Sequence, residues 1–297
     1  MSDLFSIVTN KLDESFNIQE TRNYGLSLIF GDTAFSYAIL DFKRNKYLCI
    51  QQIKKNDLSV SHGAQPVKPS FEDFLKSVFN AMPWLKNQYK SIRIAYEGKK
   101  STLIPSPLFD VKEREHYLNF GYSFNQEETI FSDALTPLDI QHVYSVPPLV
   151  LNSLKTHYPS AGLVHFSSVL IESIWINYKN KINTNRVFLH IRDKMVDLMV
   201  FDGRQMSYFN SFAYQNRDDI VYYLIFVMEQ LNHNPETIPL VLMGNIEKNS
   251  PLYELIFKYV RHVEFARRND MFKYSHILNQ IPSHFYFPLL NFQACGL

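Results

Sequence analysis

The sequence predicts an α/β fold with two duplicated lobes, each a mixed sheet that opens with a three-strand meander and is flanked by helices. Two observations predict it. First, residues 186–212 alternate as three short strands separated by two turns, and the same pattern lies 161 positions earlier without a gap. The matching positions are Leu26, Leu28, Phe30, Asp32, Tyr37, Ile39, Asp41 and Tyr47 in the first copy and Val187, Leu189, Ile191, Asp193, Leu198, Val200, Asp202 and Tyr208 in the second. Second, helical and strand patterns follow both meanders in the same order.

The elements of the first half can be assigned in order. Residues 1–20 are polar and are either a loose lead-in or a short added strand, and residues 24–53 form the first meander. Residues 56–69 contain two prolines and a glycine and are predicted to be a loop. Ser70 is a typical N-cap for a helix that runs to about Leu85, because apolar residues follow it at helical spacing. A strand is expected over residues 92–96.

The middle and second half continue the pattern. Residues 139–145 and 162–165 are predicted strands, and residues 147–157 and 167–180 are predicted helices. After the second meander come a helix over residues 217–231, interpreted as buried, and a strand over residues 239–243. Ser106-Pro107 and Ser250-Pro251 are each predicted to open a further helix, since serine suits the N-cap and proline the first turn. The expected domains are residues 1–182, including the connecting helix, and residues 183–297.

Composition excludes several classes of function. Lys plus Arg (30) nearly balance Asp plus Glu (29), which argues against a nucleic-acid groove. The two cysteines, Cys49 and Cys295, are too few for a disulfide framework or a cysteine zinc site and fit a reducing compartment. The ten histidines show no metal-ligand spacing, and no secretion signal is visible. The longest apolar run, residues 220–228, is too short to span a membrane. A cytoplasmic protein without metal is expected.

Two lobes that each open with a three-strand meander resemble the actin-like ATPase (ribonuclease H-like) superfamily, which includes actin, sugar kinases and heat-shock chaperone ATPases. In detail the chain resembles an uncharacterised bacterial family, domain of unknown function 3822, which is assigned that fold. The resemblance covers nearly the whole chain and depends on architecture and general sequence character, because no exclusive short motif carries it. Cytoplasmic pilus- and secretion-assembly proteins of the same fold show a looser resemblance.

The resemblance implies where a nucleotide site would lie. In active members ATP sits between the lobes, the first-strand turn of each lobe cradles phosphates through an Asp followed by glycines, and a Gly-Gly turn faces the adenosine. The matching positions here are Asp32, Thr33, Asp193, Lys194, Gly244 and Asn245. The first turn has its only glycine before the acid, the second has none, and the third keeps one. The chain has only nine glycines, so the site is interpreted as a vestigial nucleotide cleft.

The structural alternative for these residues stays open, because Asp is common in tight turns and Gly244-Asn245 suits a plain turn before a helix. Ser168 and Glu172 on the connecting helix are interpreted as a solvated face. The aromatic residues 284–290 are either a partner-docking tail or an edge strand or cap of the second lobe. The function expected is a non-catalytic scaffold with unknown protein partners, no cofactor and an undetermined oligomeric state. The alternative is an ATP-binding enzyme or nucleotide switch that uses Mg-ATP.

Overall fold

A computed structural model of the chain describes residues 4–31, 33–56, 70–123, 127–181 and 184–297. The chain divides into two compact units. The first comprises Met1–Ser173, Asp270–Leu278 and Pro288–Leu297, and the second comprises Ile174–Asn269 and Asn279–Phe287. The expected division at residue 182 remains a proposal about domain bounds, and two C-terminal segments belong with the first unit.

The first unit contains a seven-stranded mixed sheet. Its strands are β1 Phe5–Leu12, β2 Tyr24–Phe30, β3 Ala34–Asp41, β4 Lys46–Lys55, β5 Ser91–Tyr96, β9 Leu163–His165 and β15 Lys273–Tyr274. The order is β1-β4-β3-β2-β5-β9, and β15 pairs with the start of β4. β2, β3 and β4 form the predicted antiparallel meander, whereas β5 and β9 run parallel to β2. Within the predicted lead-in, residues 5–12 form the strand β1, which pairs antiparallel with the outer edge of β4.

The helices of this unit are α1 Phe71–Ala81, α2 Arg114–Asn119, α3 Pro148–His157 and α4 Phe166–Tyr178, the last of which runs into the second unit. α1 begins where the sequence predicts, because Ser70 and Asp73 form a reciprocal capping box. It is shorter than expected, and Pro83 starts a separate 3-10 turn at Pro83–Lys86. The predicted loop before it lies, from residue 57 to residue 69, outside the described residues.

A three-stranded antiparallel sheet is inserted between β5 and α3. Its strands are β6 Ser101–Pro105, β7 Thr129–Leu135 and β8 Ile140–Val146, in the order β6-β8-β7. The prediction of a helix that begins at Ser106-Pro107 is wrong, because residues 106–108 form a single 3-10 turn. Proline at the first turn is compatible with either helix type, so this local signal does not report helix length.

The second unit repeats the central topology of the first. It contains β10 Arg186–Ile191, β11 Met195–Asp202, β12 Gln205–Ala213, α5 Arg217–Gln230, β13 Pro239–Gly244, α6 Pro251–Tyr259 and β14 His262–Phe265, while α7 Phe287–Asn291 leads back to the first unit. The sheet order is β12-β11-β10-β13-β14, which matches β4-β3-β2-β5-β9. β3 and β11 are both eight residues long and start 161 positions apart, at Ala34 and Met195, as the repeat predicts.

The duplication extends to single hydrogen bonds in the turns after β2 and β10. Gly31 N–H donates to Ala34 O at 2.8 Å, and Arg192 N–H donates to Met195 O at 2.9 Å. Thr33 O accepts from Lys55 N–H, and its counterpart Lys194 O accepts from Tyr214 N–H. The repeat therefore specifies backbone geometry as well as strand order, although the side chains at these turns differ.

The aromatic C-terminal segment is neither an edge strand nor a cap of the second lobe alone. Its residues form a turn and the short helix α7, and Phe287, Leu289 and Leu290 are buried. From Pro288 onward the segment belongs to the first unit, where Gln293 Nε2 donates to Ser27 Oγ at 3.0 Å. Because its large side chains are mostly buried, they are not free to dock a partner.

Candidate functional site

Four of the six residues expected at a nucleotide site lie together at one edge of the second unit's sheet. Asp193 and Lys194 follow β10, Gly244 and Asn245 lie at the end of β13, and the two strands are parallel neighbours with Ile191 paired to Gly244. Carboxyl ends of parallel strands meet at one sheet edge, which is a frequent ligand position in α/β proteins. Thr33 is exposed in the equivalent turn of the first unit. Asp32 lies outside the described residues.

Gly244 has a structural reason to be glycine. Its φ is +80°, and a Cβ at this position would lie 2.1 Å from the Ile191 carbonyl oxygen. Only glycine tolerates both conditions, because the left-handed region is costly for other residues and the overlap is with backbone. The glycine therefore allows β13 to leave the sheet beside β10, and no ligand is needed to explain it.

Three consecutive backbone N–H groups at the end of β13 are already donated within the unit. Gly244 N–H donates to His284 O, Asn245 N–H to Ile191 O and Ile246 N–H to Gly244 O, at 3.0, 2.8 and 2.9 Å. A phosphate cradle needs several convergent and undonated backbone N–H groups. At this turn a phosphate could be bound through the backbone only by breaking bonds that hold the turn together.

A buried ion-pair network lies under the turn after β10. Asp197 is fully buried and accepts from His190 Nδ1 at 3.0 Å, from Arg192 Nε and Nη2 at 2.9 and 2.7 Å, and from Ser211 Oγ at 2.6 Å. Burial alone would raise the pKa of Asp197, but the Arg192 charge and the hydrogen bonds from His190 and Arg192 outweigh it and hold the pKa well below its ordinary value. The Arg192 guanidinium is thus committed to Asp197.

The first unit contains a buried polar cluster that the sequence does not reveal. Asp133 on β7 accepts hydrogen bonds from Ser168 Oγ at 2.6 Å, from the His165 N–H at 2.8 Å and from Tyr144 Oη at 3.0 Å. Ser168 Oγ also lies 2.8 Å from His142 Nδ1. Since the Ser168 hydroxyl donates to Asp133, His142 Nδ1–H donates to Ser168. The cluster links β7 and β8 of the inserted sheet to β9 and to the start of α4.

This cluster is not a nucleophilic triad. Asp133 accepts from Ser168 and not from the His142 ring, so it does not orient His142 as a base. Ser168 also has no exposed surface. The prediction that Ser168 and Glu172 lie on a solvated face of α4 is wrong, because both residues are buried. Glu172 Oε1 accepts from Gly296 N–H at 2.7 Å. The polar residues of α4 are explained by these internal partners, which are remote in sequence.

Burial favours the neutral form of Asp133, and Tyr144 is placed to accept a hydrogen bond from that form. Tyr144 Oη lies 3.0 Å from both Asp133 Oδ1 and the Leu163 carbonyl oxygen, but it has one hydrogen to donate. A protonated Asp133 can donate to Tyr144 Oη, which then donates to Leu163. Burial raises the pKa of Asp133 to about 6, against the hydrogen bonds that lower it. At pH 7 Asp133 is therefore ionised in the folded protein, and the free energy of unfolding would be larger if it were protonated.

The variant Asp133→Asn is expected to remove a pH dependence of stability. A group with a raised folded pKa binds its proton more tightly in the folded state, so the free energy of unfolding falls as pH rises from about 4 to above 6, by up to about 3 kcal/mol. Asparagine keeps the shape and can donate to Tyr144 without ionising. Urea unfolding of both proteins across this pH range measures the difference, in which contributions of other groups cancel. An unchanged pH slope in the variant would contradict the assignment.

An exposed aromatic groove lies between α5 and α6 of the second unit. It has a volume of about 330 Å³ and is lined on α5 by Asp218, Val221, Tyr222, Ile225, Phe226 and Glu229, and on α6 by Leu255 and Tyr259. Tyr222, Phe226 and Tyr259 are 62%, 45% and 52% exposed. The interpretation of residues 220–228 as part of a buried helix is therefore wrong for one face. Apolar composition alone does not distinguish that face from the core-facing one, on which Ile220, Leu224 and Met228 are buried.

The described residues provide no group of three or more His, Cys, Asp or Glu side chains that could hold a metal ion. Of the helices that the structure describes, none combines the length and apolar character needed to cross a bilayer. Cys49 and Cys295 are free and buried.

Comparisons with known proteins agree with this architecture. A family model described as "Protein of unknown function (DUF3822)" matches residues 13–263. A Bacteroides thetaiotaomicron protein of actin-like ATPase fold and unknown function is 24% identical with a TM-score of 0.73, over 84% of this chain and 93% of that chain. A PilM-PilN type IV pilus biogenesis complex gives 12% identity and a TM-score of 0.59, over 90% and 96% of the two chains. No curated protein sequence matches. The expected actin-like ATPase fold is confirmed.

Proposed function

This chain belongs to the DUF3822 family of proteins of unknown function, and from that premise we propose that it is a non-catalytic scaffold that binds a protein partner. The fold is that of the actin-like ATPases. In this proposal the fold supplies a rigid framework for a docking surface, and nucleotide chemistry is not used. A cytoplasmic location is part of the proposal and is compatible with the two free thiols.

The observation that carries the proposal is the aromatic face of α5 and α6. Tyr222 and Phe226 stack on α5 at 5.8 Å between ring centroids, and Tyr259 on the neighbouring helix α6 is 52% exposed and lines the same groove. Single exposed apolar residues are ordinary, but contiguous exposed aromatic side chains on adjacent helices are typical of protein interfaces. The free energy gained by covering these rings would favour association.

Two further observations support it. At the sheet edge of the second unit, Gly244 is explained by its approach to Ile191, and the neighbouring N–H groups are donated internally. In addition, one similar structure is a complex of PilM with PilN, so this fold occurs in an assembly between proteins.

The test is site-specific photocrosslinking in the cells that produce the protein. A photoreactive phenylalanine analogue at Phe226 is expected to give a discrete crosslinked species, because that ring is exposed within the groove. The matched control is the same analogue at Phe120, an 81% exposed ring outside the groove. No crosslinked species at position 226, or the same species from both positions, would overturn the proposal.

A nucleotide switch is the second candidate, and one observation favours it. The structure brings Asp193, Lys194, Gly244 and Asn245 to a single sheet edge, and Asp193 and Lys194 are exposed there. Under this alternative Mg-ATP would be held through side chains. Calorimetric titration of Mg-ATP and Mg-ADP tests it, with Asp193→Ala as the matched variant. Binding that Asp193→Ala abolishes would establish it, whereas no heat and no thermal stabilisation at millimolar nucleotide would exclude it.

A further inference from the structure

We propose that the α5–α6 groove binds an amphipathic helix of a partner protein whose apolar stripe is flanked at both ends by basic side chains. This inference rests on the proposed scaffold function and specifies the chemistry of the partner. The groove is lined along α5 by residues that recur at helical spacing, so its apolar stripe runs parallel to a helix axis. Helix-in-groove recognition uses such stripes on both partners.

The two charged residues that line the groove are both acidic and lie at its two ends. Asp218 is in the first turn of α5 and Glu229 is in its last turn, eleven residues later. At 1.5 Å per residue they are separated by about 16 Å, which is three helical turns. In the part of the chain that the structure describes, neither carboxylate is paired with a cationic side chain. A complementary helix would carry Lys or Arg at the same separation.

Glu229 supports a binding role because its position works against the stability of its own helix. A carboxylate in the last turn faces the negative end of the helix dipole, and α5 has no basic residue in that turn. Asp218, by contrast, is favoured by the dipole at the N-terminus and so also has a structural role. Glu229 has no such role, and its side chain lines the groove.

The same charges disfavour the other occupants of an apolar groove. A second copy that presented its own α5–α6 face would bring two further carboxylates to the contact. An anionic membrane surface would be repelled by both acids. A basic amphipathic helix is the occupant for which the apolar stripe and the end charges are both complementary.

The test uses the full chain and two helical probe peptides of roughly 18 residues. Both carry the same leucine stripe, and they have either arginine or glutamate at two positions three turns apart. The arginine peptide is expected to bind the wild-type protein at least about tenfold more tightly in fluorescence anisotropy, with an affinity that falls as salt rises. Phe226→Ala is expected to weaken both peptides. Asp218→Lys combined with Glu229→Lys is expected to reverse the preference.

The matched control is Glu236→Lys, an exposed charge reversal in the same unit outside the groove, which should leave the preference unchanged. Glu229→Gln should keep or raise the Tm while it weakens binding of the arginine peptide, a combination that a structural role would not produce. Equal binding of both peptides, or a preference that survives the double reversal, would overturn the inference. So would a dimer, or adsorption to neutral vesicles, that Phe226→Ala abolishes. A discrete crosslink at position 226 together with a failed peptide test would leave the scaffold function standing and remove only this partner chemistry.

Discussion

Replacing Gly244 with alanine is expected to lower the free energy of unfolding by about 4 kcal/mol. The backbone has a φ of +80°, where an L-residue with a side chain costs roughly 1–2 kcal/mol. The new Cβ would also lie 2.1 Å from the Ile191 carbonyl oxygen, an overlap that only a backbone shift can relieve. Such a shift would disturb the pairing of β10 with β13 and the Asn245–Ile191 hydrogen bond. Urea unfolding of the full chain measures the loss.

The matched control for this prediction is Gly203→Ala. Gly203 also has a positive φ, of +59°, but a Cβ there would meet nothing within 4 Å. It should therefore cost only the roughly 1–2 kcal/mol of the backbone conformation. If the two variants lost similar stability, the close approach to Ile191 would not be the reason for glycine at position 244. If Gly244→Ala left the free energy of unfolding unchanged, the conformational explanation for this glycine would be wrong and a ligand-binding role would again be a candidate.

Replacing Asp197 with alanine is expected to cost about 3–5 kcal/mol of unfolding free energy at pH 7. The substitution leaves the Arg192 guanidinium and the His190 ring without the carboxylate that accepts from both. Because the folded pKa of Asp197 is lowered, its contribution is present above the unfolded pKa of about 4 and is lost as pH falls below it. Between about pH 5 and about pH 2, the variant should therefore lose less unfolding free energy than the wild type does.

Glu247→Ala is the control for Asp197→Ala. Glu247 is an exposed acid in the same unit, and its removal should change stability by no more than about 0.5 kcal/mol. Thermal unfolding at several pH values compares the three proteins. An Asp197→Ala protein that matched the control, or that kept the full acid sensitivity of the wild type, would show that the ion pair contributes little net free energy.

The meanders are predictable because period-two alternation and turn residues are local signals. Their order in the sheet follows from the repeat, since β10 and β2 occupy the same central position in their sheets. The candidate residues at the second unit's sheet edge come from the resemblance to actin-like ATPases, although Gly244 is explained by Ile191. The inserted sheet was not predicted as a unit, because β6 and β7 are short and half-exposed and their pairing with β8 is non-local.

The buried polar cluster around Asp133 and the aromatic groove both depend on tertiary structure. Asp133 and Ser168 are 35 residues apart, and nothing near either one indicates the other. To predict the aromatic groove, one must know which face of α5 contacts the sheet. Tyr222 and Phe226 are as apolar as their buried neighbours, so periodicity predicts a helix without saying which aromatic residues are exposed. The signal that could have indicated the groove is the pair of acids at its ends, eleven residues apart.

The return of the C-terminal segments to the first unit affects how the protein is made. Ser275 Oγ donates to Asp13, Gln293 donates to Ser27 and Gly296 donates to Glu172, so the first unit uses residues that follow the main segment of the second unit. During translation, residues 174–269 leave the ribosome and can pair their own strands before Asp270–Leu278 and Pro288–Leu297 emerge. The unit that begins first is thus completed last, and during translation its sheet must persist without β15 and the C-terminal helical turns.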